Sequence, residues 1–288
     1  MRILHQLPAE GSLATVATVG NFDGVHLGHQ QLLRAVAAEA RTRKLQSIAV
    51  TFDPHPARIL RPEAAPRLLT PGPRKAELIA DCGLDLLLEL PFHRDLSLLS
   101  PREFVERILV AGVGAQAVHE GENFRFGQRQ QGTVTTLREL GDELGFTVAI
   151  HAAVIVGGAV VSSSRVREVV AAGEVTEAVA LLGRPFAVRG LIAPGRGIGR
   201  QRTVPTLNLQ HYDELLPGKG VYITQVAVAG GELQPALTNV GVRPTFGEGG
   251  PLSVESHLLR PPAEGIPAHL GDSLEIVFLK RLRDEQRF

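Results

Sequence analysis

The chain of 288 residues carries a single cysteine, Cys82, so it cannot form an internal disulfide. That excludes a small disulfide-stapled secreted scaffold and suits a reducing compartment. Net charge is lacking as well. Thirty basic and thirty acidic side chains cancel, so no bulk field draws the molecule to nucleic acid or to an anionic membrane, and an anionic ligand has to be gripped locally. Long apolar runs are missing too: the longest, from Ala149 to Val161, is interrupted by His151 and Gly157-Gly158, and no leader-like segment follows Met1. There is no repeat of fixed period and no low-complexity stretch. The expectation is a cytoplasmic protein without nucleic-acid or membrane partners, with a homo-oligomer left open. A hydrophobic content of 44% over this length supports two domains, each with its own core.

What is present has two rhythms. Through the first part, short apolar runs (Thr15–Val19, Ser47–Phe52, Leu84–Leu90, Ala115–His119, Phe146–Ile155) alternate with helical patterns, the signature of a parallel sheet with crossover helices. Leu27–Arg41 places Leu32, Leu33, Val36 and Ala40 on one stripe. Ser100-Pro101-Arg102-Glu103 spells a capping box with proline at the first helical position, which gives that serine a structural job. The pattern changes near Gly183-Arg184-Pro185. Beyond it the runs Ala187–Ile192, Gly220–Ala229, Leu237–Val240, Leu252–Leu259 and Ser273–Leu279 are strand-like, are separated by Gly and Pro clusters and lack a long helix, as in an antiparallel barrel or sandwich. The boundary is expected between 183 and 184.

The chemistry-bearing residues gather after the expected strands. Gly20-Asn21-Phe22-Asp23-Gly24-Val25-His26-Leu27-Gly28-His29 follows the first and leads into a helix. Unpaired N–H groups and the positive end of a helix dipole attract anions there, and two imidazoles three residues apart add donors. A metal site is less well supported, because no third ligand stands nearby at zinc spacing. Asp53-Pro54-His55-Pro56 follows the second strand, which ends at Phe52, and Gly121-Glu122-Asn123-Phe124-Arg125-Phe126-Gly127 the fourth. In an open parallel sheet these ends form the ligand crevice. Ser162-Ser163-Ser164-Arg165-Val166-Arg167 then opens another helix. Its serines could be no more than caps, but together with Arg167 they can face a triphosphate.

These four ordered motifs resemble the HxGH nucleotidyltransferases, and the strings Gly-Asn-Phe-Asp-Gly-Val-His and Thr-Phe-Asp-Pro-His-Pro are similar to the bacterial bifunctional riboflavin kinase/FAD synthetase family. The resemblance implies an α/β fold: an N-terminal Rossmann-like nucleotidyltransferase domain over 1–183 and a smaller riboflavin kinase-like β-barrel over 184–288. It implies adenylyl transfer from ATP to FMN in the first domain. His26, His29, Ser163 and Arg167 would hold the ATP phosphates, with Ser162 and Ser164 beside them. Gly20 to Gly24, Gly28, Phe52, Pro54, His55, Pro56, Asn123, Phe124 and Phe126 would contribute to nucleotide and flavin binding.

In the second half, Gly195-Arg196-Gly197-Ile198-Gly199 is a basic glycine-rich loop but not a Walker loop, since no Gly-Lys-Ser/Thr follows. Pro205-Thr206-Leu207-Asn208 resembles the Mg²⁺- and nucleotide-binding motif of riboflavin kinases. Thr206 and Asn208 are alternate residues, whose side chains share one face of an extended segment. The same resemblance makes Tyr222 a binding candidate and Glu255 the base that takes a proton from a riboflavin hydroxyl; without it, Glu255 would read as a solvent-facing strand glutamate. Thr203-Val204 and Ala268-His269-Leu270-Gly271 depart from the family pattern, and the sequence stops at Arg287-Phe288 where the family continues into a terminal helix. The expected function is bifunctional, with riboflavin phosphorylated to FMN and FMN adenylylated to FAD, both with Mg²⁺. The alternatives are an adenylyltransferase with a degenerate barrel and a non-catalytic flavin- or nucleotide-binding regulator.

Overall fold

The structure is a computed structural model that describes the whole chain except residues 194–205, 211, 213, 243–251, 260–268 and 285–288. It divides into two compact units, Met1–Pro66 with Pro71–Val161, and Arg67–Thr70 with Ser162–Phe288.

The first unit contains β1 (Arg2–Leu4), β2 (Thr15–Val19), α1 (Leu27–Arg43), β3 (Gln46–Asp53), α2 (Pro56–Leu60), α3 (Gly72–Ala80), β4 (Leu86–Pro91), α4 (Pro101–Phe104), β5 (Ala115–Gly121), α5 (Val134–Leu144), β6 (Thr147–His151) and the short strands β7 (Ile155–Val156) and β8 (Ala159–Val160). Six of these strands form one sheet in the order β1-β4-β3-β2-β5-β6, with every pair parallel. A parallel sheet buries both faces, and β2 shows how alternation serves two cores. Val16 packs with Leu33, Val36 and Ala40 of α1 and Ile79 of α3, while Ala17 and Val19 pack with Phe104, Ile108, Leu137 and Leu140. The capping box at Ser100 is present in both halves, and α4 continues into a π-helical turn over Val105–Val110. The apolar run Phe146–Ile155 does not form one strand. It ends at His151 and resumes as the β7-β8 hairpin, whose turn uses Gly157 and Gly158 at φ 59° and 78°.

The second unit contains α6 (Ser163–Ala171), α7 (Val175–Leu182) and β9 (Phe186–Ala193), β10 (Thr206–Gln210), β11 (Gly220–Val228), β12 (Gln234–Val242), β13 (Leu252–Leu258) and β14 (Ser273–Arg283). The six strands close into an antiparallel barrel in the order β10-β13-β12-β11-β14-β9. Its interior is filled by alternate residues such as Val188, Leu209, Val226, Val240, Val254 and Ile276. A polar thread crosses this interior: the Thr224 and Thr238 hydroxyls are 2.7 Å apart, as are those of Thr238 and Ser256. Residues 67–70 join this unit through the Leu215 N–H, which donates to the Leu68 carbonyl at 2.7 Å.

Candidate active sites

In the first unit the carboxyl ends of β2, β3 and β5 carry the expected motifs. The Gly20–His26 turn leaves β2 through an unusual backbone, with Phe22 at φ 47°, Gly24 at φ 85° and Val25 at φ 38°. Left-handed conformations at non-glycine residues cost about 1–3 kcal/mol each and persist only where surroundings over-determine them. Here the compensation is burial: the Phe22 and Val25 side chains are each 1% exposed in the core under α1. Gly20 is required by the same ring, since a Cβ there would stand 3.0 Å from Phe22.

His26 caps α1. Its Nδ1 accepts from the His29 N–H at 3.3 Å, and the two imidazoles stack with centroids 3.6 Å apart and planes at 18°. Gly28 makes that stack fit, because a Cβ would lie 3.2 Å from His26 Cε1; the space over this glycine belongs to the histidine ring rather than to an approaching ligand. Gly28 also lies close to the Val161 carbonyl, so the residue before the Ser162 motif borders the histidine turn. Burial, then the His26 ring, then Lys75 hold the His29 imidazole well below its ordinary pKa. It is therefore neutral at pH 7, with a buried Nδ1 that has no protein partner among the described residues.

The other strand ends complete a cavity of about 950 Å³ lined by Phe52, Phe92, Phe124, Phe126, Asn21 and Asn123. That is within the size range of pockets for small organic ligands. Phe124 and Phe126 stack at 5.3 Å and 14°, and Phe52 meets Phe92 edge to face. Arg61, Arg94 and Arg129 add positive charge to the wall, and Pro56 lies on it as well. His55 caps α2 by accepting the Ala57 N–H at 3.2 Å, and the peptide between Asp53 and Pro54 is cis. Asp23 is buried.

Two residues of this site were not singled out from sequence. Lys75, 8% exposed, donates to Thr51 Oγ1 at 3.0 Å and to the Asn21 carbonyl at 3.4 Å. Its signal was its place on α3: Leu78 and Ile79, three and four residues on, lie on the buried stripe, so Lys75 does too. Glu120 of β5 is 1% exposed and accepts the Val19 N–H at 2.8 Å, and burial raises its pKa well above the usual carboxylate range. It stands where the sheet order reverses between β2 and β5, the usual crevice of such sheets.

In the second unit Ser162 caps α6 by accepting the Arg165 N–H at 3.2 Å, and Ser163 and Ser164 occupy the first turn. Arg167 Nε donates to the Arg67 carbonyl at 3.0 Å. On the barrel, Leu207 and Leu209 point inward, so Thr206 and Asn208 share the outer face of β10. The register sets Asn208 beside Glu255, and Glu255 beside Asn239, in one row across β10, β13 and β12. Glu255 is half-buried, and Thr206 Oγ1 is 3.1 Å from His257 Nδ1. Tyr222 is apart from this row. It is fully buried inside the barrel, edge-on to Phe278 at 5.3 Å, with its hydroxyl donating to the Gly218 carbonyl. Gly195, Gly197, Gly199, Thr203, Val204 and Ala268 lie outside the described residues, as does the end of the chain. His269–Gly271 form a turn in which the His269 N–H donates to Asp272 at 2.7 Å.

A doubly wound sheet with an imidazole-bearing turn at its switch point, followed by a closed six-stranded barrel, defines a nucleotidyltransferase-type module joined to a riboflavin kinase-type module. The comparisons agree. The family described as FAD synthetase matches residues 9–165, and that described as riboflavin kinase matches residues 182–288. A bifunctional riboflavin kinase/FMN adenylyltransferase of Pseudomonas fluorescens is 39% identical over all of this chain and 90% of its own length. The Escherichia coli K12 protein of the same description is 35% identical over 99% of this chain and 88% of its own. A crystal structure described as a macrolide-efflux protein from Streptococcus pneumoniae superposes with a TM-score of 0.86 at 27% identity, covering 100% of this chain and 92% of that one. The chain belongs to the bifunctional riboflavin kinase/FMN adenylyltransferase family. Among the described residues no helix is long and apolar enough to cross a membrane.

Proposed function

We propose that this chain converts riboflavin to FMN on the barrel and FMN to FAD at the sheet, and that the two steps use the residues described above. The observation that carries the reading is the presence, inside one compact unit, of the stacked His26–His29 pair and of a phenylalanine-lined cavity whose wall includes Gly20 and Asn21 of the same turn. The pair suits an anionic nucleotide tail, and the cavity suits a flat, largely apolar ring.

In the adenylyl step the FMN phosphate is already ionised and needs no strong base. One of its oxygens attacks the α-phosphorus of ATP in line, and the bond to the departing pyrophosphate breaks. Alignment and relief of phosphate charge are the protein's contribution. His26, His29, Ser163 and Arg167 are assigned to the ATP phosphates, with Ser162 and Ser164 shaping the helix start. The Gly20–Gly24 turn, Gly28, Phe52, Pro54, His55, Pro56, Asn123, Phe124 and Phe126 are assigned to the nucleotide and flavin.

In the kinase step Glu255 accepts the proton of the ribityl hydroxyl that attacks the γ-phosphorus, and ADP leaves. Thr206 and Asn208 fit Mg²⁺, since a hydroxyl and a buried carboxamide offer the hard oxygen donors that ion prefers. Bound there, Mg²⁺ supplies charge neutralisation on the phosphate oxygens. We place the functional boundary at 183/184, in keeping with β9 starting at Phe186. The cytoplasm is the proposed compartment, with ATP, riboflavin and FMN as partners.

The test is chromatography of flavins, with pyrophosphate release, after supplying riboflavin or FMN separately with ATP and Mg²⁺. FMN and FAD are expected from riboflavin, and FAD from FMN. Unphosphorylated riboflavin with continued FAD synthesis from FMN would remove the kinase; binding without pyrophosphate release would leave only a regulator.

A further inference from the structure

We propose that Lys75 is a positioning residue for adenylyl transfer, locking the strained turn that presents His26 and setting a buried positive charge against the Asn21 carbonyl of that turn. The inference rests on the adenylyl-transfer reading and adds to it a residue outside its motifs.

The geometry is a closed triangle. The Lys75 ammonium donates to Thr51 Oγ1 at 3.0 Å and to the Asn21 carbonyl at 3.4 Å, and the Thr51 hydroxyl donates to that same carbonyl at 3.3 Å. Thr51 is fully buried on β3, a central strand, so the triangle anchors the Asn21 peptide to the rigid part of the sheet. The next residue is Phe22, at φ 47°, so the anchor adds to the burial that holds this left-handed conformation.

A lysine is an expensive way to make that anchor. Among the described residues no ion pair joins it to a carboxylate, and a methionine would pack along Leu78 and Ile79 without desolvating a charge. Burial lowers the Lys75 pKa, against the pull of Glu89, Asp23 and Asp53. What the charge accomplishes is electrostatic: with burial and His26 it opposes protonation of His29. It also adds a fixed positive potential where nucleotide phosphates would lie, an interaction strengthened by low local dielectric.

Two variants separate anchor from charge. Lys75→Met removes both. It is expected to lower kcat for FMN-to-FAD conversion by about 100-fold, to change the KM for FMN by less than about 3-fold, and to move the acid limb of kcat/KM to higher pH as His29 protonates more easily. Thr51→Val keeps the charge and loosens the triangle; a fall in kcat of about 10-fold is expected with the acid limb in place. Lys75→Arg, which keeps charge and donors, is expected to restore the wild-type limb. Wild-type rates in both Lys75→Met and Thr51→Val, or a limb that stays put in Lys75→Met or moves equally in Thr51→Val, would overturn the proposal. Should Lys75→Met fail to fold, Thr51→Val at the wild-type rate would still overturn it. A wild-type protein that makes no FAD from FMN and ATP would defeat the underlying reading instead, irrespective of Lys75.

Discussion

The two units solve the same problem, gripping a nucleotide, from opposite starting points. In the sheet unit both faces are core, so a ligand is left to the strand ends, and in such sheets it takes the carboxyl ends. The candidate site there is built from turns, with Phe22 and Val25 held in left-handed conformations and two histidines stacked over a glycine. In the barrel unit closure leaves no strand end at a switch point, and the interior is filled by side chains. Its candidate residues therefore sit on the outer face, in the row Asn208, Glu255 and Asn239. A turn-built site depends on backbone strain and buried charge, whereas a face-built site depends on register.

The contrast can be broken most directly at the two chemical centres. Glu255→Gln should reduce riboflavin phosphorylation by about 10²–10⁴-fold, the usual contribution of a positioned base, while FAD synthesis from FMN continues. An unchanged phosphorylation rate removes Glu255 as base. His29→Ala should do the reverse, lowering FAD formation by about 10²–10³-fold with phosphorylation retained. Equal loss of both activities in a folded variant would contradict separate sites.

Stability sharpens the comparison further. Thr238→Val removes the middle of the barrel's polar thread and leaves the Ser256 hydroxyl without its 2.7 Å partner, at an expected cost of about 1–3 kcal/mol. Urea unfolding should show it; a gain in stability would mean that the thread is replaceable by apolar packing. In the sheet unit the matching buried polar group is Glu120. Burial raises its folded pKa above the unfolded value, so the stability it contributes is complete below the unfolded pKa and is lost as pH rises through the folded one. Glu120→Gln should therefore lose less stability than the wild type in urea titrations as pH rises above the ordinary carboxylate range. Parallel pH profiles would show that Glu120 ionises without penalty.

Much of this architecture was legible in the residues because the signals were local. The run Thr15–Val19 is β2, the Ser100–Glu103 box caps α4, and the helical stripe of Leu32, Leu33, Val36 and Ala40 is the buried face of α1. The change of rhythm near Gly183 marks where helices give way to barrel strands, β9 starting at Phe186. What escaped was non-local. The partners of Lys75 are 24 and 54 positions away, and Glu120 meets Val19 across 101 positions. The inward direction of Tyr222 follows from barrel closure, which fixes which alternate set faces the core. The break after His151 escaped for a different reason: an apolar run cannot tell one strand from a strand followed by a hairpin until its glycines adopt positive φ.

The short stretch Arg67–Thr70 has a further consequence. It lies far upstream of α6 yet is stitched into the barrel unit, with Leu68 bridged to Glu214. The polypeptide thus crosses between its halves three times rather than once, and no single cut can release either as an intact piece. Scission after Val161 would leave Arg67–Thr70, four residues of the second unit, on the first fragment.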